Sequence, residues 1–85
     1  MNVLKIDRSF VIDMDDEQQA LDIVTAIVRL ALSLNMTIVA EGIETMSQFN
    51  ALQALGCHLG QGYFLHKPIA MADFFDKFIA NIEVA

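Results

Sequence analysis

The sequence predicts an α/β fold made of three consecutive strand–helix units. Three observations carry that expectation. Short apolar, β-branched runs alternate with longer segments in which apolar residues recur at helical period. The first two of those longer segments begin on capping sequences and end on asparagine or glycine. The third observation is apolarity out of proportion to length. Of 85 residues, 55% are hydrophobic and 19% charged, where globular domains average about 25% charged. A chain this short buries only about 60–65% of its unfolded surface and should be more polar than average. Two explanations stay open: association through apolar faces, or a slice of a larger fold.

The elements follow in order. Val3-Leu4-Lys5-Ile6-Asp7 is a short strand, extended by Val11 and Ile12, and Asp13 to Asp16 is an acidic loop. Asp16, with Gln19 three residues on, has the spacing of a capping box. A helix with a broad apolar face follows from Ala20 to Leu34, and Asn35 stops it. Thr37-Ile38-Val39-Ala40 is nearly all apolar, as a strand buried on both faces should be. Thr45 and Gln48 make a second capping box, opening a helix that runs to about Leu55 and ends at Gly56. A weak strand near His58 to Tyr63, a loop around Pro68 and a Phe-rich helix from about Met71 to Ile82 complete the third unit. Phe74, Phe75, Phe78, Ile79 and Ile82 form the apolar side of that helix.

Buried strands alternating with helices imply a parallel sheet with right-handed crossovers. A small open sheet and part of a (β/α)₈ barrel both suit the pattern. A complete barrel takes about 250 residues, so three of its eight units need roughly 94. The chain is close to that, and its surplus of apolar residues points the same way.

Composition excludes several functions. The formal net charge is −6, with five basic residues, which gives no electrostatic footprint for a nucleic acid polymer. A single cysteine, Cys57, excludes a disulfide framework and a cysteine-based zinc site. The longest apolar stretch, Ile23 to Leu34, is broken by Thr25, Arg29 and Ser33 and falls short of the roughly 20 residues of a membrane span. No basic segment precedes an apolar run at the N-terminus. A soluble, cytoplasmic chain is expected.

In parallel sheets, ligands sit at the C-terminal ends of the strands. Lys5 and Asp7 alternate with Leu4 and Ile6, which puts them on one strand face. Glu41 and Glu44 fall just past the second strand. Gln61, between two glycines, lies in the third strand–loop region, with Tyr63 after it. A lysine, carboxylates and an amide would thus converge from three neighbouring strand ends, a set suited to a divalent cation and an anionic substrate. Taken singly, each has an ordinary reading as an ion pair, a solvated loop carboxylate, a turn or a packing residue. His58 and His66 have no ligand-like histidine partner and read as structural or surface residues. Cys57 reads as a buried apolar side chain.

In sequence order, LKIDRSFV, IVAEGIET and LGCHLGQGYFLHKPI resemble the C-terminal part of the EAL-domain family, the cyclic di-GMP phosphodiesterases. The IV..I..LA..L helix between the first two motifs and the closing F-rich helix match as well, so the likeness covers essentially the whole chain. The resemblance implies a (β/α)₈-type barrel of which residues 1–85 form the last three strand–helix units, an incomplete domain. It implies hydrolysis of cyclic di-GMP to pGpG with Mg²⁺ or Mn²⁺ in bacterial signalling.

By the same resemblance, Lys5 is the active-site lysine that positions the attacking water and offsets phosphate charge. Glu41 is the glutamate at a metal or assisting its water, and Gln61 the polar residue near that water. Glu44 anchors the loop that shapes the metal site, and Asp7 supports Lys5. Tyr63, Lys67 and Pro68 fall where substrate is contacted. His66-Lys67-Pro68 departs from the family's frequent Ser-Arg-Pro, and lysine lacks the planar fork of arginine. The family's EAL glutamate, its metal-binding asparagine and glutamate, and its DDFG aspartates are not in this sequence. Glu41 would be the one direct metal ligand left, too few for an ion that demands octahedral coordination. The chain alone is therefore expected to be inactive. An alternative from another class is a non-catalytic interaction module, a homo-oligomer paired through exposed strand edges, or a degenerate cyclic di-GMP-binding domain.

Overall fold

A computed structural model of the chain describes residues 2–62 and 67–84, the last four of these by backbone alone. The order of elements is β1 (Val3–Ile6), α1 (Arg8–Asp13), α2 (Gln18–Ser33), β2 (Thr37–Glu41), α3 (Met46–Leu55), β3 (Leu59–Gln61), β4 (Ile69–Ala70) and α4 (Met71–Val84). The strands form one sheet in the order β1-β2-β3-β4. β2 pairs in parallel with β1 on one side and β3 on the other. The α/β class and the parallel pairing of the first three strands therefore stand.

The first unit differs from its expectation. β1 stops at Ile6, and the supposed extended segment at Val11 and Ile12 is helix α1. The Asp7 carboxylate is the reason, since it accepts hydrogen bonds from the Ser9 backbone N–H at 3.0 Å and the Ser9 hydroxyl at 2.7 Å. That is an N-cap, which satisfies an otherwise unpaired first-turn donor. Val11 and Met14 then pack into the core three residues apart. Asp7 accordingly ends its strand rather than sharing the Lys5 face. Asp16 does not cap the second helix either: the N-cap is Glu17, without a side-chain cap bond. The backbone N–H groups of Asp16 and Glu17 both donate to the Asp13 carbonyl, so these residues are consumed in the turn between α1 and α2.

Helix α2 buries Ala20, Val24, Val28 and Ala31, a narrow stripe at helical period. Ile23, Leu30 and Leu34, expected within one broad apolar face, are exposed. Asn35 closes the helix with φ +57°, a left-handed conformation that asparagine tolerates better than most residues. The capping box on α3 forms as expected. Thr45 Oγ1 accepts from the Gln48 N–H, and Gln48 Oε1 accepts from the backbone N–H groups of Thr45 at 3.1 Å and Glu44 at 2.7 Å. Gly56, at φ +103°, ends that helix in the left-handed region.

The third unit is more compact than expected. β3 is three residues long, and the pairing of β4 with it is antiparallel. A two-residue strand has no hydrophobic period to reveal it, so the Pro68 loop hid it. Phe74 of α4 stacks on Phe49 of α3 at 5.9 Å and on Phe78 at 5.8 Å. Phe75 tilts onto Phe49 but is partly exposed. Ile82 and Tyr63 lie outside the described side chains. Among the described residues, no helix is long and apolar enough to cross a membrane.

His58 takes a structural part at the start of β3. Its backbone N–H donates to the Ile38 carbonyl, and its Nδ1 accepts from the Ile38 N–H at 3.0 Å. Ile38 is fully buried, so the imidazole supplies an acceptor that the sheet ladder lacks at that point. Cys57 lies just before it, buried, with its thiol directed at the carbonyls of Ile38 and Leu59. Burial pushes this thiol up to about 11.

Three outcomes follow for the folded chain. Replacing His58 with Ala leaves the Ile38 N–H without its acceptor and should cost about 1–2 kcal/mol in urea unfolding, while His58→Asn should recover part of it. Iodoacetamide at pH 8 should label Cys57 only after denaturation, because the reactive thiolate is disfavoured in the fold. The two Ser9 hydrogen bonds, the hydroxyl's first, lower the pKa of Asp7 below its usual 3.8. A depressed carboxylate stabilises the fold above its unfolded pKa and loses that contribution as pH falls through the folded value. Asp7→Asn should therefore flatten the acid limb of stability below about pH 4; an unchanged acid limb would contradict the cap.

Candidate functional site

The site is set by sheet register. Side chains alternate across a strand, and residues paired in register point to the same face. Ile6, Ile38 and Ala40 belong to the hydrophobic core beneath the helices. Lys5 and Glu41 therefore take the opposite face, with Val39 between them in the alternation. Lys5 pairs with Val39, Leu59 with Val39, and Gln61 with Glu41. Lys5, Glu41 and Gln61 thus occupy one face of three adjacent parallel strands, near their C-terminal ends. Adjacent strands place Glu41 and Gln61 about 5 Å apart at Cα, and Lys5 lies roughly 8 Å from Glu41, one strand over and two residues back.

The turn after β2 keeps the second glutamate on the same side. Gly42 has φ +77°, and the Ile43 side chain drops into the core, fully buried. The Ile43 N–H donates to the Gln61 carbonyl at 3.0 Å, which carries the β2–β3 tie past the end of the strand. Glu44 then comes up at the rim, its backbone N–H held by the buried Gln48 amide. A cleft of about 310 Å³ results, lined by Arg8, Glu41, Gly42, Glu44, Gln61 and Gly62.

Of the residues expected to act together, Glu41, Glu44 and Gln61 meet in this cleft. Lys5 is exposed on the shared sheet face, a row behind the lining residues. Asp7 is turned to Ser9. Lys67 is exposed and Pro68 half-buried in the bend before β4, and neither lines the cleft. Tyr63 lies outside the described residues.

Arg8 was not anticipated. Its Nη2 donates to Glu44 Oε1 at 3.0 Å, and its aliphatic stem passes over Gly42. A Cβ at position 42 would fall 2.4 Å from Arg8 Cγ and 2.9 Å from its Cβ, so this turn requires glycine for space as well as for φ. The two side chains are 65% and 40% exposed, and a pair so exposed contributes roughly 0–1 kcal/mol. Its effect is on where Glu44 points rather than on stability. The only hint in the sequence is position, one residue after the Asp7 cap. A second tie holds the same turn: Asp15 accepts from the hydroxyls of Thr45 at 3.1 Å and Ser47 at 2.8 Å.

Among the described residues, no three His, Cys, Asp or Glu side chains come together in a way that could hold a metal. Glu41 makes no side-chain hydrogen bond or ion pair among the described residues, and Glu44 is already paired. The residues present do not by themselves fit a Mg²⁺ or Mn²⁺ centre.

Known proteins place this geometry. Residues 1–68 match the EAL domain. The cyclic di-GMP phosphodiesterase PA2567 of Pseudomonas aeruginosa is 42% identical over 69 residues, which cover 81% of this chain and 12% of that protein. The solved PaMucR phosphodiesterase in its c-di-GMP complex superposes with a TM-score of 0.71 at 41% identity, over 86% of this chain and 30% of that one. Klebsiella pneumoniae BlrP1, solved as a manganese and cy-diGMP complex, superposes at 0.69 with 33% identity, over 82% of this chain and 18% of that one. The chain spans about a tenth of the length of the curated relatives it matches, 9% to 12% for the first three. The chain belongs to the EAL-domain family.

Proposed function

We propose that the chain is the C-terminal part of an EAL-type (β/α)₈ barrel, its last three strand–helix units, and that it contributes one side of a cyclic di-GMP phosphodiesterase site. Residues 1–85 form a single incomplete domain in this reading. One observation carries it: Lys5, Glu41 and Gln61 share a face at the C-terminal ends of three neighbouring parallel strands. In a barrel that face is the interior, and those ends surround the substrate.

Each residue has a role in that reading. Lys5 offsets charge on the phosphodiester and orients the attacking water. Glu41 is the metal-side carboxylate, and Gln61, its lateral neighbour, hydrogen-bonds near the same water. Glu44 shapes the loop above them. Asp7 acts indirectly, by capping α1 and so fixing the end of the Lys5 strand. Tyr63, Lys67 and Pro68 lie on the segment after β3 and would meet the guanine or phosphate side of the ligand. A cytoplasmic setting in bacterial signalling agrees with this assignment.

Metal completion has to come from outside these residues. Mg²⁺ dehydrates reluctantly and demands near-octahedral oxygen ligands, and Glu41 supplies one carboxylate. The pure chain with Mn²⁺ and cyclic di-GMP should therefore give no pGpG. Supplying the rest of the barrel should restore the chemistry. A chimera in which this chain replaces the matching segment of the PaMucR phosphodiesterase should hydrolyse cyclic di-GMP. Lys5→Ala or Glu41→Ala in that chimera should cost on the order of 100-fold or more in kcat. A folded chimera without hydrolysis, or turnover by the isolated chain, would overturn the reading.

A further inference from the structure

We propose that Arg8 is a positioning residue of the cleft, the resident counter-charge that holds Glu44 aside so that the two glutamates at this end of the sheet do not converge on one cation. Four observations support it. The Asp7 cap fixes the first turn of α1 and with it the base of Arg8. The Arg8 stem lies against Gly42, where the absence of a Cβ leaves room for it. Its guanidinium reaches Glu44 Oε1 at 3.0 Å. The Glu44 backbone is itself held by the buried Gln48 amide at 2.7 Å, so the freedom left to this residue is the direction of its side chain, and Arg8 biases that.

The consequence is specific to this cleft. Glu41 and Glu44 both line it, but Glu44 Oε1 is already engaged by Arg8, and no group of three or more His, Cys, Asp or Glu side chains gathers there among the described residues. An arginine stays charged at every accessible pH, so a cation that recruited Glu44 would have to displace the guanidinium first. This role rests on the reading of the cleft as the cation-bearing end of a cyclic di-GMP site for its functional weight, but its geometry stands on the chain alone.

The test uses the full 85-residue chain, isotopically labelled, with Mn²⁺ alone as the probe. Three-bond couplings through χ1 should show one Glu44 rotamer favoured, by a few-fold at most, as expected of an exposed pair. Arg8→Met keeps the apolar stem and removes the charge, and it should release Glu44 to rotamer averaging. Arg8→Lys should retain that preference. Raising NaCl to 1 M on the unmodified chain should also release Glu44, since screening weakens an exposed pair, and this needs no substitution to fold. In Arg8→Met, Mn²⁺ should broaden the amides of residues 41–44 at about two- to fivefold lower concentration, the effect of removing one nearby unit charge in water. Equal population of the Glu44 rotamers in the unmodified chain would overturn the proposal. A rotamer indifferent to both salt and Arg8→Met, or Mn²⁺ broadening unchanged by that substitution, would also overturn it. None of these readouts involves cyclic di-GMP or turnover, so an inactive chimera would reject the phosphodiesterase reading without touching Arg8.

Discussion

Everything in this chain depends on the register of β2 against its two parallel neighbours. The strand is short, and four of its five residues have a fixed duty: Ile38 and Ala40 face the helices, while Val39 and Glu41 face the other way. A slip of one residue would exchange those faces. Glu41 would then be driven into the apolar layer beside Phe74 and Ile43, at a cost that an unpaired carboxylate makes prohibitive. The core thus specifies the site. Burial of Ile38, Ala40, Ile43 and Phe49 selects the register in which Lys5, Glu41 and Gln61 stand together.

Local devices then refine what the register sets coarsely. His58 Nδ1 accepts from the buried Ile38 N–H at the edge of the β2–β3 ladder. The α3 capping box satisfies the first-turn donors of that helix and at the same time holds the Glu44 amide. The helix α1 and the turn after it reach over the β2–α3 turn from two points, Arg8 to Glu44 and Asp15 to Thr45 and Ser47. Individually these ties are weak, because most are exposed. Their common target is the turn Gly42–Thr45, so their combined effect is placement of the carboxylates.

Much of the fold was legible because its signals are local. Asn35 and Gly56 stop helices where a left-handed residue is needed, and the Thr45–Gln48 pair forms as its spacing predicts. The alternation of apolar runs gave the class and the parallel strands. What escaped was decided by short-range competition. Asp7 could extend a strand or cap a helix, and Ser9 two residues later decided for the cap. Asp16 had the spacing of a cap but was taken by the α1–α2 turn. β4 is too short to carry any period. At the site, Glu41, Glu44 and Gln61 were found from their place after strands, whereas Arg8 reaches the cleft from a distant part of the sequence, across 36 residues of chain. Periodicity carries no information about such contacts.

Lys5, Glu41 and Gln61 share one face at the ends of three parallel strands. Cross-strand Hα–HN nuclear Overhauser contacts in the labelled chain test it most directly. Contacts are expected in the register Lys5 with Val39, Val39 with Leu59, and Glu41 with Gln61. Contacts displaced by one residue on either side of β2 would put these side chains on opposite faces and contradict it.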